Sequence, residues 1–118
     1  MVLMAVAPAT APASNAPAET IQFVKYAQLQ PDGSALVSLY YSCSPNAFGN
    51  PGFLAVVLEQ PGAEGFAEEI EAQCDGGKHK ATLDVGPGPF KPGPATVGAA
   101  LGNGGSVEEE KFADIMIK

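Results

Sequence analysis

The 118-residue chain has no tryptophan and no arginine, a single histidine, two cysteines, and no extended stretch free of glycine or proline. Each shortage removes a class of function. Without arginine there is no planar guanidinium fork to grip phosphate or guanine at two points. The 13 acidic residues against 6 lysines leave a formal charge of −7, which repels a nucleic-acid backbone. Nucleic acid is set aside as a partner, and an anionic membrane surface with it. A lone histidine makes a poor zinc site, where three or four N/S ligands are usual. The glycines fall mostly in turn clusters and spell no P-loop and no dinucleotide signature, and no Ser-His-Asp catalytic signature is present. No cofactor is expected. No segment is long and apolar enough to cross a bilayer as a helix.

What is present points to β-structure. With 46% hydrophobic and 16% charged residues, 14 Gly and 11 Pro, the composition is turn-rich rather than helical. A chain of this length supports one hydrophobic core. Residues 1–18, MVLMAVAPATAPASNAPA, read as an apolar run followed by Ala/Pro/Ser with several A-x-A triplets, like the end of a secretory signal peptide. No Lys or Arg precedes the run, which fits a trimmed start; the alternative is a disordered Ala/Pro linker. The expected organisation is a leader at 1–18 and one domain at 19–118, secreted to the extracellular space. In an exported chain two cysteines favour a disulfide, here Cys43 with Cys74, over two buried thiols.

Turn-forming clusters fall at 31–34 (PDGS), 44–52 (SPNAFGNPG), 60–65 (QPGAEG), 75–78 (DGGK), 86–94 (GPGPFKPGP) and 102–106 (GNGGS). Seven segments lie between them, and most alternate. Ala35, Val37, Leu39, Tyr41 and Cys43 share one face; so do His79, Ala81, Leu83 and Val85; Ala95, Val97, Ala99 and Leu101; and Ala113, Ile115 and Ile117. In GFLAVVLEQ both faces are apolar, Leu54, Val56 and Leu58 on one and Phe53, Ala55 and Val57 on the other, as in a central strand. Segment 66–74 fits either a short helix or an edge strand guarded by glutamates, and is taken as strand.

Tight turns at PDG, DGG and GNGG with longer Pro-rich links at 44–52 and 86–94 predict an all-β, immunoglobulin-like β-sandwich of about seven antiparallel strands with one disulfide. That order carries a tension. The strand beginning at His79 would lie between those ending at Cys43 and Cys74, holding them about 9.5 Å apart, beyond the roughly 6.8 Å a disulfide spans. Either the cysteines lean over the intervening strand, or segment 66–74 pairs elsewhere.

The pieces IQF, PDGSALVSLYYSC, FLAVVLEQ, AQCDGGKHKATLDV and GPFKPGPATVGAAL together resemble a family of small secreted actinobacterial proteins of unknown function, across nearly all of residues 20–117. The resemblance implies export, the Cys43–Cys74 pair and the immunoglobulin-like sandwich. The family has no assigned activity, so no mechanism follows.

Candidate chemistry is sparse. Cys74 and His79 flank one turn, but a disulfide would consume the thiol. Glu108, Glu109, Glu110 and Asp114 with the carbonyl of Asn103 could hold calcium, although no D-x-D-x-D-G loop is present and a solvated edge strand explains them equally. Glu59 with Glu68 or Glu69 could supply paired carboxylates for a small hydrolase, given a cleft. Surface binding is the better reading. Tyr40 shares an outward face with Ser38 and Ser42, and Phe48 and Phe90 lie in the two long loops, where each could anchor a partner or plug an end of the sandwich. The expectation is a secreted, non-enzymatic binding module whose partner is an unknown protein, a cell surface or a small molecule. The alternative is a carrier similar to the actinobacterial antibiotic-binding apoproteins, from which the chain departs in having fewer cysteines.

Overall fold

The computed structural model describes residues 19–45, 51–103 and 106–118, so the expected leader at 1–18 and Phe48 lie outside the described residues. Eight strands follow in order: β1 (Thr20–Phe23), β2 (Tyr26–Leu29), β3 (Ala35–Ser42), β4 (Gly52–Gln60), β5 (Ala63–Ala72), β6 (His79–Gly88), β7 (Gly93–Asn103) and β8 (Ser106–Ile117). Segment 66–72 is strand, within β5.

Hydrogen bonding runs round a ring in the order β3-β2-β8-β7-β4-β5-β6 and returns from β6 to β3, with β1 outside it on β3. The expected immunoglobulin-like sandwich, two separate antiparallel sheets with open edges, is therefore corrected to a closed seven-stranded barrel with β1 as a peripheral strand. The barrel is mixed, because β2 runs parallel to β8.

Two local features account for the difference. First, the break at Val24 and Lys25 splits the opening segment. β1 pairs with the far half of β3, while β2 reaches both Leu36 of β3 and Met116 of β8, joining the two walls. Second, the tight hairpin is at Pro61-Gly62, not at Asp75-Gly76-Gly77. Pro presets the first turn position, and Gly62 takes the positive φ of 81° that the second requires. β5 then pairs along β4 from Ala63 to Ala72. Residues 73–78 instead cross from one wall to the other, because His79 pairs with Tyr41 of β3. β5 and β6 meet only at their other ends, where Glu64–Phe66 pair with Gly86–Gly88.

This placement resolves the cysteine tension. β6 stands between β3 and β5 in the ring, but it begins at His79 opposite Tyr41, so Cys43 and Cys74 lie past its end, with their Cα atoms 4.6 Å apart in the disulfide. The amide N–H of Gly76 donates to the Cys43 carbonyl at 2.8 Å, and that of Gln73 to the Tyr41 hydroxyl at 2.9 Å. Both bonds hold the crossing segment against the end of β3.

The inward face of each strand fills the interior, with Val37, Leu39, Leu54, Val56, Leu58, Val85, Val97, Leu101 and Ile117 almost wholly buried. Full burial of such a side chain contributes about 1.5–3 kcal/mol. The turn before β3 is fastened by Asp32, whose carboxylate accepts from the Ser34 amide at 3.0 Å and the Ser34 hydroxyl at 2.7 Å. These bonds, the hydroxyl's first, hold the Asp32 carboxyl below its ordinary range.

Candidate functional site

Because side chains alternate along a strand, filling the interior dictates what the outside carries. On the wall formed by β5, β4, β7 and β8 the outward set holds one apolar row between two that carry carboxylates. Register places Phe66, Val57, Gly98 and Phe112 in one row across the four strands. The next row holds Glu68, Ala55, Ala100 and Glu110, and the row on the other side Glu64, Glu59, Thr96 and Asp114.

Phe66 is 56% exposed and Phe112 68% exposed, and Val107 further along β8 is also exposed. Between the two phenylalanines runs a groove of about 140 Å3 floored by Ala55, Val57, Gly98 and Ala100. Glycine on β7 lets the rings lie low. A Cβ at Gly98 would stand 2.5 Å from Phe112 Cε1, and one at Gly102 would collide with the ring of Phe53. The wall is thus a shallow aromatic strip bordered by carboxylates.

The residues singled out from sequence are scattered. Tyr40 is half-buried on the opposite wall, with Lys78 Nζ 4.9 Å and Lys80 Nζ 5.9 Å from its ring centre. Phe48 lies outside the described residues. Phe90 is 4% exposed, packed in the core with its amide bonded to the Gly33 carbonyl at 2.8 Å, so it presents nothing to solvent. Tyr40 and Phe90 are not brought into one patch.

Cys74 is spent in the disulfide. His79 Nε2 is 2.8 Å from Asp75 Oδ1, and its ring leans on Tyr41 at 5.8 Å between centroids. That bond to His79, followed by one from the Gly77 amide, holds the Asp75 carboxyl below its ordinary range. A polar hollow of about 400 Å3 opens where β5 and β6 diverge, lined by Glu69, Glu71, Gln73, His79, Lys80 and Thr82 among others.

The proposed carboxylate pairs do not converge. Glu68 and Glu69 are opposite Ala55 and Leu54, four and five positions along β4 from Glu59, or about 14 and 17 Å at 3.4 Å per residue. Glycoside hydrolysis needs about 5–9.5 Å between carboxyl groups. Glu110 and Asp114 are likewise four positions apart on β8, and the Asn103 side-chain amide donates to the Ser44 carbonyl at 2.7 Å. Among the described residues no three His, Cys, Asp or Glu side chains gather as a metal site.

Sequence reasoning passed over Phe66 and Phe112. The signal was there in two places: the second apolar face of GFLAVVLEQ, and the position of Phe112 and Met116 out of phase with Ala113, Ile115 and Ile117. Compared with known proteins, the chain matches no family model and no curated sequence. With no matching family and a closed barrel, the resemblance to secreted actinobacterial immunoglobulin-like proteins is not upheld.

Proposed function

We propose that this chain is an exported, non-enzymatic interaction module that holds a protein partner against the outer wall of β5, β4, β7 and β8. The observation that carries this reading is the exposure of Phe66 and Phe112 on either side of a groove floored by Val57 and Gly98. Exposed aromatics on a well-packed sheet are the side chains that anchor protein interfaces, since they bury large areas at little entropic cost. Contiguous apolar surface of this kind marks contact sites on soluble proteins. Export is supported by the disulfide and by the signal-like leader.

Carriage of a small molecule has weaker support. The apolar groove, at about 140 Å3, is well short of the roughly 300–1,000 Å3 that encloses a ligand, and the hollow of about 400 Å3 between β5 and β6 is lined chiefly by polar and charged side chains. A photo-crosslinking residue placed at Phe112 or at Tyr40, in protein produced by its native host, tests the reading. Adducts of defined mass from position 112 and none from position 40 are expected. Adducts from position 40 alone, or from neither, would overturn it.

A further inference from the structure

The outer wall is selective in charge as well as apolar. Its outward positions include Glu59, Glu64, Glu68, Glu110 and Asp114, arranged in the two rows that border the Phe66–Val57–Gly98–Phe112 strip. The four strands contribute only one lysine, Lys111. It sits in the opposite phase, opposite Ala99, and its Nζ donates to the Ile21 carbonyl of β1 at 3.2 Å. Other lysines lie against aromatics, on the opposite wall or at β2 beside Met116, past the Asp114 row. Lys78 and Lys80 flank Tyr40, while Lys25 and Lys118 flank Tyr26, the latter with Nζ 3.8 Å from the ring centre.

We infer that the occupant of this wall is a basic polypeptide segment, one that carries lysine or arginine beside apolar side chains. The inference rests on the reading of the wall as a protein-binding surface and adds the chemical class of the partner. An apolar strip needs an apolar complement. Phe66 and Phe112 stand three strand spacings apart, about 14 Å between backbones, with the Phe112 ring folded inward over Gly98 and the open groove between the two rings running along β4 and β7. Carboxylates on both borders favour cations there and penalise a neutral or acidic rim through unpaired or like charges. A two-fold contact with a second copy would set these carboxylates against their own counterparts, which is the arrangement like-charge repulsion opposes. A strand laid along β4 and β7 presents every second residue to the wall, so a cationic, an apolar and a cationic residue at i, i+2 and i+4 are what the three rows complement.

The test uses three synthetic peptides of the same length, in which a wall-facing leucine or phenylalanine at i+2 is flanked at i and i+4 by lysine, glutamine or glutamate. Binding to the isotope-labelled full chain is followed by amide chemical-shift changes across a salt series. The lysine peptide is expected to perturb Val57, Phe66, Gly98 and Phe112 and to lose about tenfold or more in affinity between low and high salt. E64Q/E68Q/E110Q is expected to weaken it by about tenfold while leaving the thermal midpoint in place. Equal binding of the lysine and glutamine peptides at this wall overturns the charge class and leaves the surface reading standing. Perturbations confined to the Tyr40 wall, or no binding by any peptide, overturn both. Self-association in sedimentation that is lost in F66A/F112A would assign the wall to a second copy and overturn the basic partner.

Discussion

Phe112 on β8 covers the bare backbone of its register partner Gly98 on β7, so closely that a Cβ at position 98 would stand 2.5 Å from Cε1 and 2.6 Å from Cδ1 of the ring. An aromatic laid over a cross-strand glycine shields that glycine's backbone and lends its own area to the sheet. The same pairing recurs at Phe53 and Gly102. Together these keep the outer wall shallow, and they tie the candidate site to the stability of the barrel.

Gly98→Val should therefore displace Phe112 and destabilise the protein by about 1–3 kcal/mol, the usual cost of overpacking. Added to Phe112→Ala it should cost much less, because the obstructing ring is gone. A double-mutant cycle by urea denaturation measures the coupling. Additive effects would show that the ring swings away freely.

Removing the disulfide should cost more than any single side chain on the surface. Cys43 and Cys74 are 31 residues apart, and a loop of that length contributes about 3.5–4 kcal/mol in the chain-entropy account. C43A/C74A should lower the denaturation midpoint accordingly. A loss below about 1 kcal/mol would mean that residual structure in the unfolded chain already keeps the ends of this loop close.

Tyr41→Phe removes the hydroxyl that accepts from the Gln73 amide at 2.9 Å, where the chain crosses between walls. The expected loss is about 1–2 kcal/mol, the cost of an amide left without its partner in a partly buried place. Amide exchange at Gln73 should quicken selectively; unchanged protection there would show that water takes the hydroxyl's place.

Acid sensitivity follows from two carboxyls. Asp32 and Asp75 are both held below the ordinary aspartate value of 3.8, the first by Ser34 and the second chiefly by His79. A depressed folded value means stability that is fully present above the unfolded value and lost as pH falls through the folded one. The effect should therefore appear only below about pH 4. D32N/D75N should flatten that limb of the stability profile. In His79→Ala the Asp75 carboxyl, followed by NMR, should titrate closer to its ordinary value, and an unmoved titration would leave the Gly77 amide as its main support.

Much of the barrel could be read from residue order alone, because alternation along a strand is a local property. The buried sets Ala35 to Cys43, Leu54 to Leu58, Ala95 to Leu101 and Ile115 to Ile117 all follow from period two, as does the outward position of Tyr40. Composition likewise settled the class as all-β and left few candidates for chemistry. Strand partners are not local. Pro61-Gly62 and Asp75-Gly76-Gly77 are both turn sequences, and which one closes a hairpin depended on His79 finding Tyr41 across the barrel rather than the end of β5 beside it. That choice closed the ring and brought Cys74 within reach of Cys43. The candidate site was undecided for the same reason. A strand apolar on both faces, such as Phe53 to Leu58, looks central in sequence, but whether its second face is covered is a matter of what packs on it. Here Val57 lies between two exposed phenylalanines, and only the tertiary arrangement could show that.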